Sequence, residues 1–265
     1  MRRAVAARIG WIGIALCGTA ASAEELDCMV QPEQTVVVAA PQIGVVSEVA
    51  VDRGDLVETG KVVARLVATT EQAAVALAKA KADSDAELKG SQARLDFELR
   101  RVERGRELRK QGVVSVKDLD EWESSLVVAQ ANLVQATENR TLAKLDLARA
   151  QAAYDLRTIK SPLTGVVVEV MLRPGEYADP PQVMKLAQID PLRVEAYAPV
   201  SLLGKLAVGM PVTVIPETGK EHTAKISVID RVVDAASGTF GIRATMSNPD
   251  HAVLAGLRCK MRFAP

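Results

Sequence analysis

Residues 41–55, Pro41-Gln42-Ile43-Gly44-Val45-Val46-Ser47-Glu48-Val49-Ala50-Val51-Asp52-Arg53-Gly54-Asp55, are met again as Pro162-Leu163-Thr164-Gly165-Val166-Val167-Val168-Glu169-Val170-Met171-Leu172-Arg173-Pro174-Gly175-Glu176. The second copy follows at a constant offset of 121 residues (162 − 41, 175 − 54), with proline and both glycines kept and apolar residues in register. Alternation through 45–51 and 166–172 is the period of two that a half-buried strand requires. In Asp52-Arg53-Gly54-Asp55 and Arg173-Pro174-Gly175-Glu176 the glycine supplies the positive φ of a tight turn, and Pro174 presets φ before it. Neither copy is large enough to bury a core alone, so the two are expected to cover each other as one small β-sandwich.

The stretch between the copies, 71–156, has another character. It lacks proline, is interrupted only by Gly90, Gly105 and Gly112, and is built from helix formers. Leu119, Leu126, Leu133, Arg140, Leu147 and Tyr154 recur every seven residues, with Trp122, Ala129, Ala136, Ala143 and Ala150 three positions on. Such a seam is that of a coiled coil. Leu88, Leu95 and Val102 repeat in the first part, with Ala74, Leu77, Ala80, Leu99 and Leu108 filling in, so this part is expected to supply the opposing helix. Gly112 suits a left-handed helix end, and Ser115-Val116-Lys117-Asp118 is a capping box opening the second helix. Arms of about 40 residues at a rise of about 1.5 Å each predict a hairpin about 60 Å long. Basic residues at 100–110 and acidic ones at 118–123 suit the two helix dipoles, which accounts for most of that charge pattern.

Residues 1–23 read as a signal peptide: Arg2, Arg3 and Arg8 precede an apolar run over 9–21, and Ala21-Ser22-Ala23 offers a cleavage site. An uncleaved anchor is the other reading of this segment, and Leu16 before Cys17 is the wrong residue type for lipid attachment. Export leaves Cys28 and Cys259 in an oxidising compartment, where they are expected to pair. In the entropy model such a closure contributes about 4 to 5 kcal/mol. With 33 Lys and Arg balancing 33 Asp and Glu, spread among one another, no basic face is available to nucleic acid. Short alternating segments return after residue 191: 192–197, 212–215, 224–233, 239–246 and 258–263, with a helix over 201–207. They predict a small antiparallel β-barrel completed by the extended segment 34–38. The domain plan is therefore 1–23 signal peptide, 24–40 extended segment, 41–69 first half-sandwich, 70–157 helical hairpin, 158–190 second half-sandwich and 191–265 barrel.

This plan resembles the HlyD-type membrane fusion proteins, the periplasmic adaptors of tripartite efflux pumps and type I secretion. The resemblance rests on Pro41, Gly44-Val45-Val46, Asp52-Arg53-Gly54-Asp55, Val57 and Gly60 in the first half and Thr158-Ile159-Lys160-Ser161-Pro162-Leu163-Thr164-Gly165 in the second. Ser237-Gly238-Thr239-Phe240, Asn248-Pro249 and Leu254-Ala255-Gly256-Leu257 look like the adaptor barrel. It implies an α+β multidomain chain with a long antiparallel helical hairpin inserted in a split lipoyl-like β-sandwich, followed by the barrel. Family members that dock on TolC-type outer-membrane channels carry Arg, Leu and Ser at a spacing that Arg104, Leu108 and Ser115 reproduce. The resemblance thus implies that Arg104 bonds to the channel's helix ends, Leu108 packs on a partner tip, and Ser115 hydrogen-bonds while capping its helix. It further implies an inner-membrane transporter as partner, of RND type ahead of ABC type, self-association into a funnel, and a periplasmic location. A chain ending at Pro265 directly after the barrel is expected to be a short form without a membrane-proximal domain.

Other classes fare worse. A lipoyl or biotinyl carrier would need a lysine at a hairpin tip, and Met184-Lys185-Leu186 falls after the second half-repeat instead. A purely structural coiled coil leaves the split repeat unexplained. His222 and His251 nominate no triad and no metal site, and both are expected in exposed loops. No enzyme activity, cofactor or metal is therefore expected.

Overall fold

The computed structural model describes residues 24–263. The signal-peptide assignment and Cys17 lie outside them. The elements in chain order are β1 (Glu25–Ala39), β2 (Val46–Val49), β3 (Leu56–Val57), β4 (Val62–Leu66), α1 (Thr69–Ala82), α2 (Ala86–Lys110), α3 (Val116–Asp155), β5 (Thr158–Lys160), β6 (Gly165–Val170), β7 (Gln182–Pro199), β8 (Pro211–Pro216), β9 (His222–Ile229), β10 (Thr239–Met246) and β11 (Arg258–Phe263). The chain divides into two compact units: one holds Thr35–Ala187, the other the residues up to Gln34 together with those from Gln188 onward. The boundaries fall inside β1 and β7.

In the first unit the two sequence copies close on each other with the same bonds. Gly54 N donates to Val167 O at 2.9 Å and Gly175 N donates to Val46 O at 2.8 Å. Returning the contact, Val167 N donates to Asp55 O at 2.9 Å and Val46 N to Glu176 O at 2.8 Å. Each of these bonds maps onto its counterpart under the 121-residue offset. Both turns are also braced alike, Asp52 N donating to the Asp55 carboxylate and Arg173 N to that of Glu176, each at 2.8 Å. Gly54 and Gly175 stand at φ of +93° and +91°, a region that a side chain resists. Gly165 serves a different need: a Cβ there would lie 2.2 Å from the Ala187 carbonyl oxygen, so only glycine lets β6 run this close to β7. Val46, Val57, Val63, Leu66, Ile159, Val167, Val183, Met184 and Leu186 share one core, drawn from both sides of the helical stretch.

Three helices occupy that stretch. α2 and α3 lie antiparallel, since Asp85 meets Arg140, Glu87 meets Asn139 and Arg106 meets Glu123. The expected first arm is broken rather than continuous: Asp83, Ser84 and Asp85 separate α1 from α2. These are residues whose side chains compete with helical bonding, and here none of them caps by side chain. The heptad rows of α3 face inward, with Ala129 and Ala136 buried and the others half-buried. Leu77 and Leu99, expected in the seam, are exposed, and Glu98 is buried in it with Val102 and Gly105. At the base of the pair, Arg157 joins separate segments. Its guanidinium donates to Glu71 at 3.0 and 2.5 Å and to Ile43 O at 3.2 Å, while its backbone oxygen accepts from Leu66 N. A bond to its own backbone N–H and the Arg157 side chain hold the Glu71 carboxyl below its ordinary value.

The second unit is a closed antiparallel sheet in the order β1, β11, β8, β9, β10, β7, with β1 also pairing β7. Leu192, Val194, Met246, Phe240, Ile226 and Met261 fill its centre. Two expectations are corrected here. The strand that pairs with β11 is Glu25 to Met29, not 34–38, because Leu26, Cys28 and Val30 alternate inward while Val38 joins the core of the first unit. The helix over 201–207 is only a 3₁₀ turn, Val200–Leu202, because Leu203 is extended and Gly204 sits at φ +87°. His222 opens β9 opposite Val214, and His251 stands at φ 52°; both are half-buried rather than exposed.

Candidate functional site

The turn between α2 and α3 is built from backbone geometry first. Gly112 at φ +78° lets Gly112 N donate to Arg109 O and Val113 N to Leu108 O, each at 3.0 Å. That double bond pattern is the Schellman ending of a helix, and it brings Val113 back over Leu108. Three residues on, Ser115 adopts an extended conformation and its hydroxyl accepts from Asp118 N at 3.1 Å, capping α3. The same hydroxyl donates to the Asp118 carboxylate at 2.6 Å, so Asp118 bonds the cap's side chain and not its backbone as a full capping box would. Arg109 ties the turn further by donating to Val114 O at 3.2 Å.

The cations near this turn divide sharply. Arg106 grips Glu123 through Nε and Nη2 at 3.0 and 2.8 Å, Lys110 meets Glu107 at 2.7 Å, and Arg101 lies 4.9 Å over the Trp122 ring. Trp122 in turn lies where a Cβ on Gly105 would come within 2.5 Å, which is why the helices approach closely here. Arg104 is exposed and makes no ion pair or side-chain hydrogen bond among the described residues. Leu108 is 38% exposed, while Val113 and Val116 are 69% and 55% exposed. Arg104, Leu108 and Ser115 thus stand at one end of the helical pair: an unclaimed guanidinium, an apolar surface and a cap. Sequence reading named Leu108 but missed Val113 and Val116, although the Gly112 turn that exposes them was in view.

Elsewhere, Cys28 and Cys259 face each other across the β1 and β11 pairing and are joined by a disulfide, with their Cα atoms 4.8 Å apart. Lys185 lies within β7 opposite Glu169, not at a turn. Among the described residues no group of three or more His, Cys, Asp and Glu is gathered as a metal site, and no helix is long and apolar enough to cross a membrane.

With this geometry in hand, similarity to known proteins is informative. No family model matches the chain. The nickel-cobalt-cadmium resistance protein NccB of Alcaligenes xylosoxydans xylosoxydans is 25% identical over 233 residues, covering 88% of this chain and 55% of NccB. The chain therefore spans about half the length of the curated relatives it matches. The crystal structure of MacA from Actinobacillus actinomycetemcomitans aligns with a TM-score of 0.75 at 22% identity, over 91% of this chain and 78% of MacA. The membrane fusion protein Spr0693 from Streptococcus pneumoniae R6 aligns with a TM-score of 0.63 at 18% identity, over 91% of this chain and 98% of its own. The fold is that of the membrane fusion proteins, with a helical region and sandwich and barrel parts. In sequence the chain is similar to proteins of nickel, cobalt and cadmium resistance and to a pyoverdine export membrane fusion protein.

Proposed function

We propose that the chain is a periplasmic adaptor of a tripartite efflux pump, joining an inner-membrane transporter to an outer-membrane channel of TolC type for the export of small molecules. In this reading α2 and α3, with α1, are a helical hairpin inserted in a split lipoyl-like β-sandwich, with 41–69 and 158–190 its halves, 70–157 the hairpin and 191–265 the barrel. Residues 1–23 direct export to the periplasm, several copies assemble into a funnel, and the transporter is of RND type. The chain works as a passive link: it carries no catalytic residue or cofactor, and energy comes from the transporter.

The observation that carries this reading is the free Arg104 beside exposed Leu108 at a rigid, doubly bonded turn. Arg101 and Arg106 are engaged across the helical pair and Lys110 within its own helix, whereas Arg104, like Arg100, enters no ion pair or side-chain hydrogen bond among the described residues. A guanidinium with its donors free is suited to the carbonyl-rich or acidic ends of a partner's helices, and an apolar neighbour adds desolvated contact. Ser115 contributes by fixing the first turn of α3.

The test is site-specific crosslinking to the channel in intact cells. Arg104→Ala and Leu108→Ala are each expected to reduce crosslinking at the turn and drug or metal resistance at least tenfold, with helical content unchanged by circular dichroism. Undiminished crosslinking and resistance in both variants would refute the docking assignment. Identifying the transporter that copurifies with crosslinked adaptor decides between RND and ABC type, and with it the cargo class.

A further inference from the structure

The sandwich and the helices belong to one compact unit and are joined by two short links, Val67-Ala68 between β4 and α1 and Leu156-Arg157 between α3 and β5. Each link residue keeps two soft backbone torsions, so the links fix where the helices leave the sandwich but not their tilt. Hydrogen bonds hold the sandwich side of the links: Leu66 N donates to Arg157 O and Val67 N to Val45 O, each at 2.8 Å. On the helical side, Ala68 offers α1 no side-chain cap.

The Arg157 guanidinium spans this junction. Its Nε and Nη2 donate to Glu71 Oε1 in the first turn of α1, at 3.0 and 2.5 Å, and Nη1 donates to Ile43 O of the sandwich at 3.2 Å. The two side chains are only 19% and 18% exposed, so water and salt screen this pair less than a surface pair. Among the described residues no other ion pair or side-chain hydrogen bond ties the helices to the sandwich. Gly44 makes room for the arginine, since a Cβ there would lie 2.8 Å from Nη1. Its counterpart in the second copy, Gly165, is kept to glycine by the Ala187 carbonyl instead. The repeat thus holds one residue type at both positions for two different reasons, and only the first copy receives the arginine.

We infer that Arg157 is a positioning residue: by holding Glu71 and Ile43 O at once it sets the angle at which the helices leave the sandwich, and with it where the turn carrying Arg104 and Leu108 points. This deepens the adaptor reading, on which it rests, by naming what aims the docking end. A planar guanidinium suits the task because its donors diverge at fixed angles, which the single ammonium of a lysine does not reproduce. The lever is long. Along the 40 residues of α3, about 60 Å at a rise of about 1.5 Å each, a tilt of about 10° at the base moves the far end by about 10 Å.

The experiment uses the exported protein with its disulfide intact, spin-labelled at Glu58→Cys in the sandwich and Ala131→Cys on α3, both exposed positions. Pulsed electron–electron resonance reads the distribution of distances between the labels. Arg157→Ala should broaden that distribution at least twofold, with helical content by circular dichroism unchanged. Gly44 is not at a positive φ, so Gly44→Ala carries no backbone strain and meets only the far end of the arginine. It should broaden the distribution when Arg157 is present and add nothing in the Arg157→Ala background. An unchanged width in Arg157→Ala would overturn the inference, as would equal broadening by Gly44→Ala with and without the arginine. A lower thermal midpoint at unchanged width would make Arg157 a structural bond only, and would overturn it too. Crosslinking of Leu108→Cys to the channel is read in cells carrying the same variants and should fall at least fivefold with Arg157→Ala. Undiminished crosslinking despite a broadened distribution sinks the aiming role and leaves the adaptor reading standing. A broadened distribution with no crosslinking even beside an intact Arg157 sinks docking at the turn and leaves the positioning of the helices standing.

Discussion

The barrel and the helical pair are both ordered by periodic apolar residues, yet they are held in different ways. In the barrel, Phe240, Leu192, Met246 and Met261 are closed off from solvent on a sheet with no free edge. In the helical pair, α3 buries fully only Ala129 and Ala136, and α2 places a charged Glu98 in the seam beside Val102 and Gly105. Few apolar atoms leave water per residue there. Polar pins at Asp85 with Arg140, Glu87 with Asn139 and Arg106 with Glu123 fix how the helices slide past each other. A region that needs little of its own surface for stability has most of that surface left for partners. The barrel has the reverse allotment.

This contrast can be broken by substitution. Phe240→Ala in the barrel should lose about 3–5 kcal/mol, the range for removing a fully buried aromatic side chain. Chemical denaturation followed by circular dichroism measures it, and a loss under about 1 kcal/mol would mean that burial is not what holds the barrel. Replacing Cys28 and Cys259 by serine should cost about 2–4 kcal/mol, because the bridge restrains a long loop of unfolded chain. Two free thiols in the unfolded, unreduced mature protein would remove the bridge from the account. The smallest effect is expected in the helical pair: Ser115→Ala should cost about 1 kcal/mol, the usual value of a lost N-cap. It should appear as faster amide hydrogen exchange at Asp118 with the barrel amides unaffected. Equal acceleration in both regions would erase the distinction drawn between them.

The repeat illustrates how much a sequence can disclose. Glycines at 54 and 175 and prolines at 41 and 162 announce backbone positions that few residues tolerate, and the bonds between Gly54 and Val167 and between Gly175 and Val46 follow from them. The heptad rows of α3 were legible for the same reason, since a period of seven survives any partner. Arg140 in the apolar row left its role open; its partner Asp85 lies far off in sequence and is met only through the antiparallel register. The break at 83–85 was missed because two aspartates and a serine weaken a helix without forbidding it. The pairing of 25–29, the first part of β1, with β11 was missed although Leu26, Cys28 and Val30 alternate with Glu25, Asp27 and Met29, because a period of two marks a strand without naming its partner.

At the candidate site, local chemistry fixed the turn itself: glycine at 112 and serine at 115 act within a few residues of where they stand. The exposure of Arg104 and the engagement of Arg106 could not be distinguished on the page, since both are arginines in a run of charges. What separates them is the direction each side chain takes once α3 lies alongside, toward Glu123 for Arg106 and toward solvent for Arg104. The sequence alone determined periodicities, turns and caps, because these are set by bonded geometry and by neighbours three or four residues away. Only the tertiary structure decided which charges are spent inside the molecule and which remain to meet a partner, because that depends on groups brought together from distant parts of the chain.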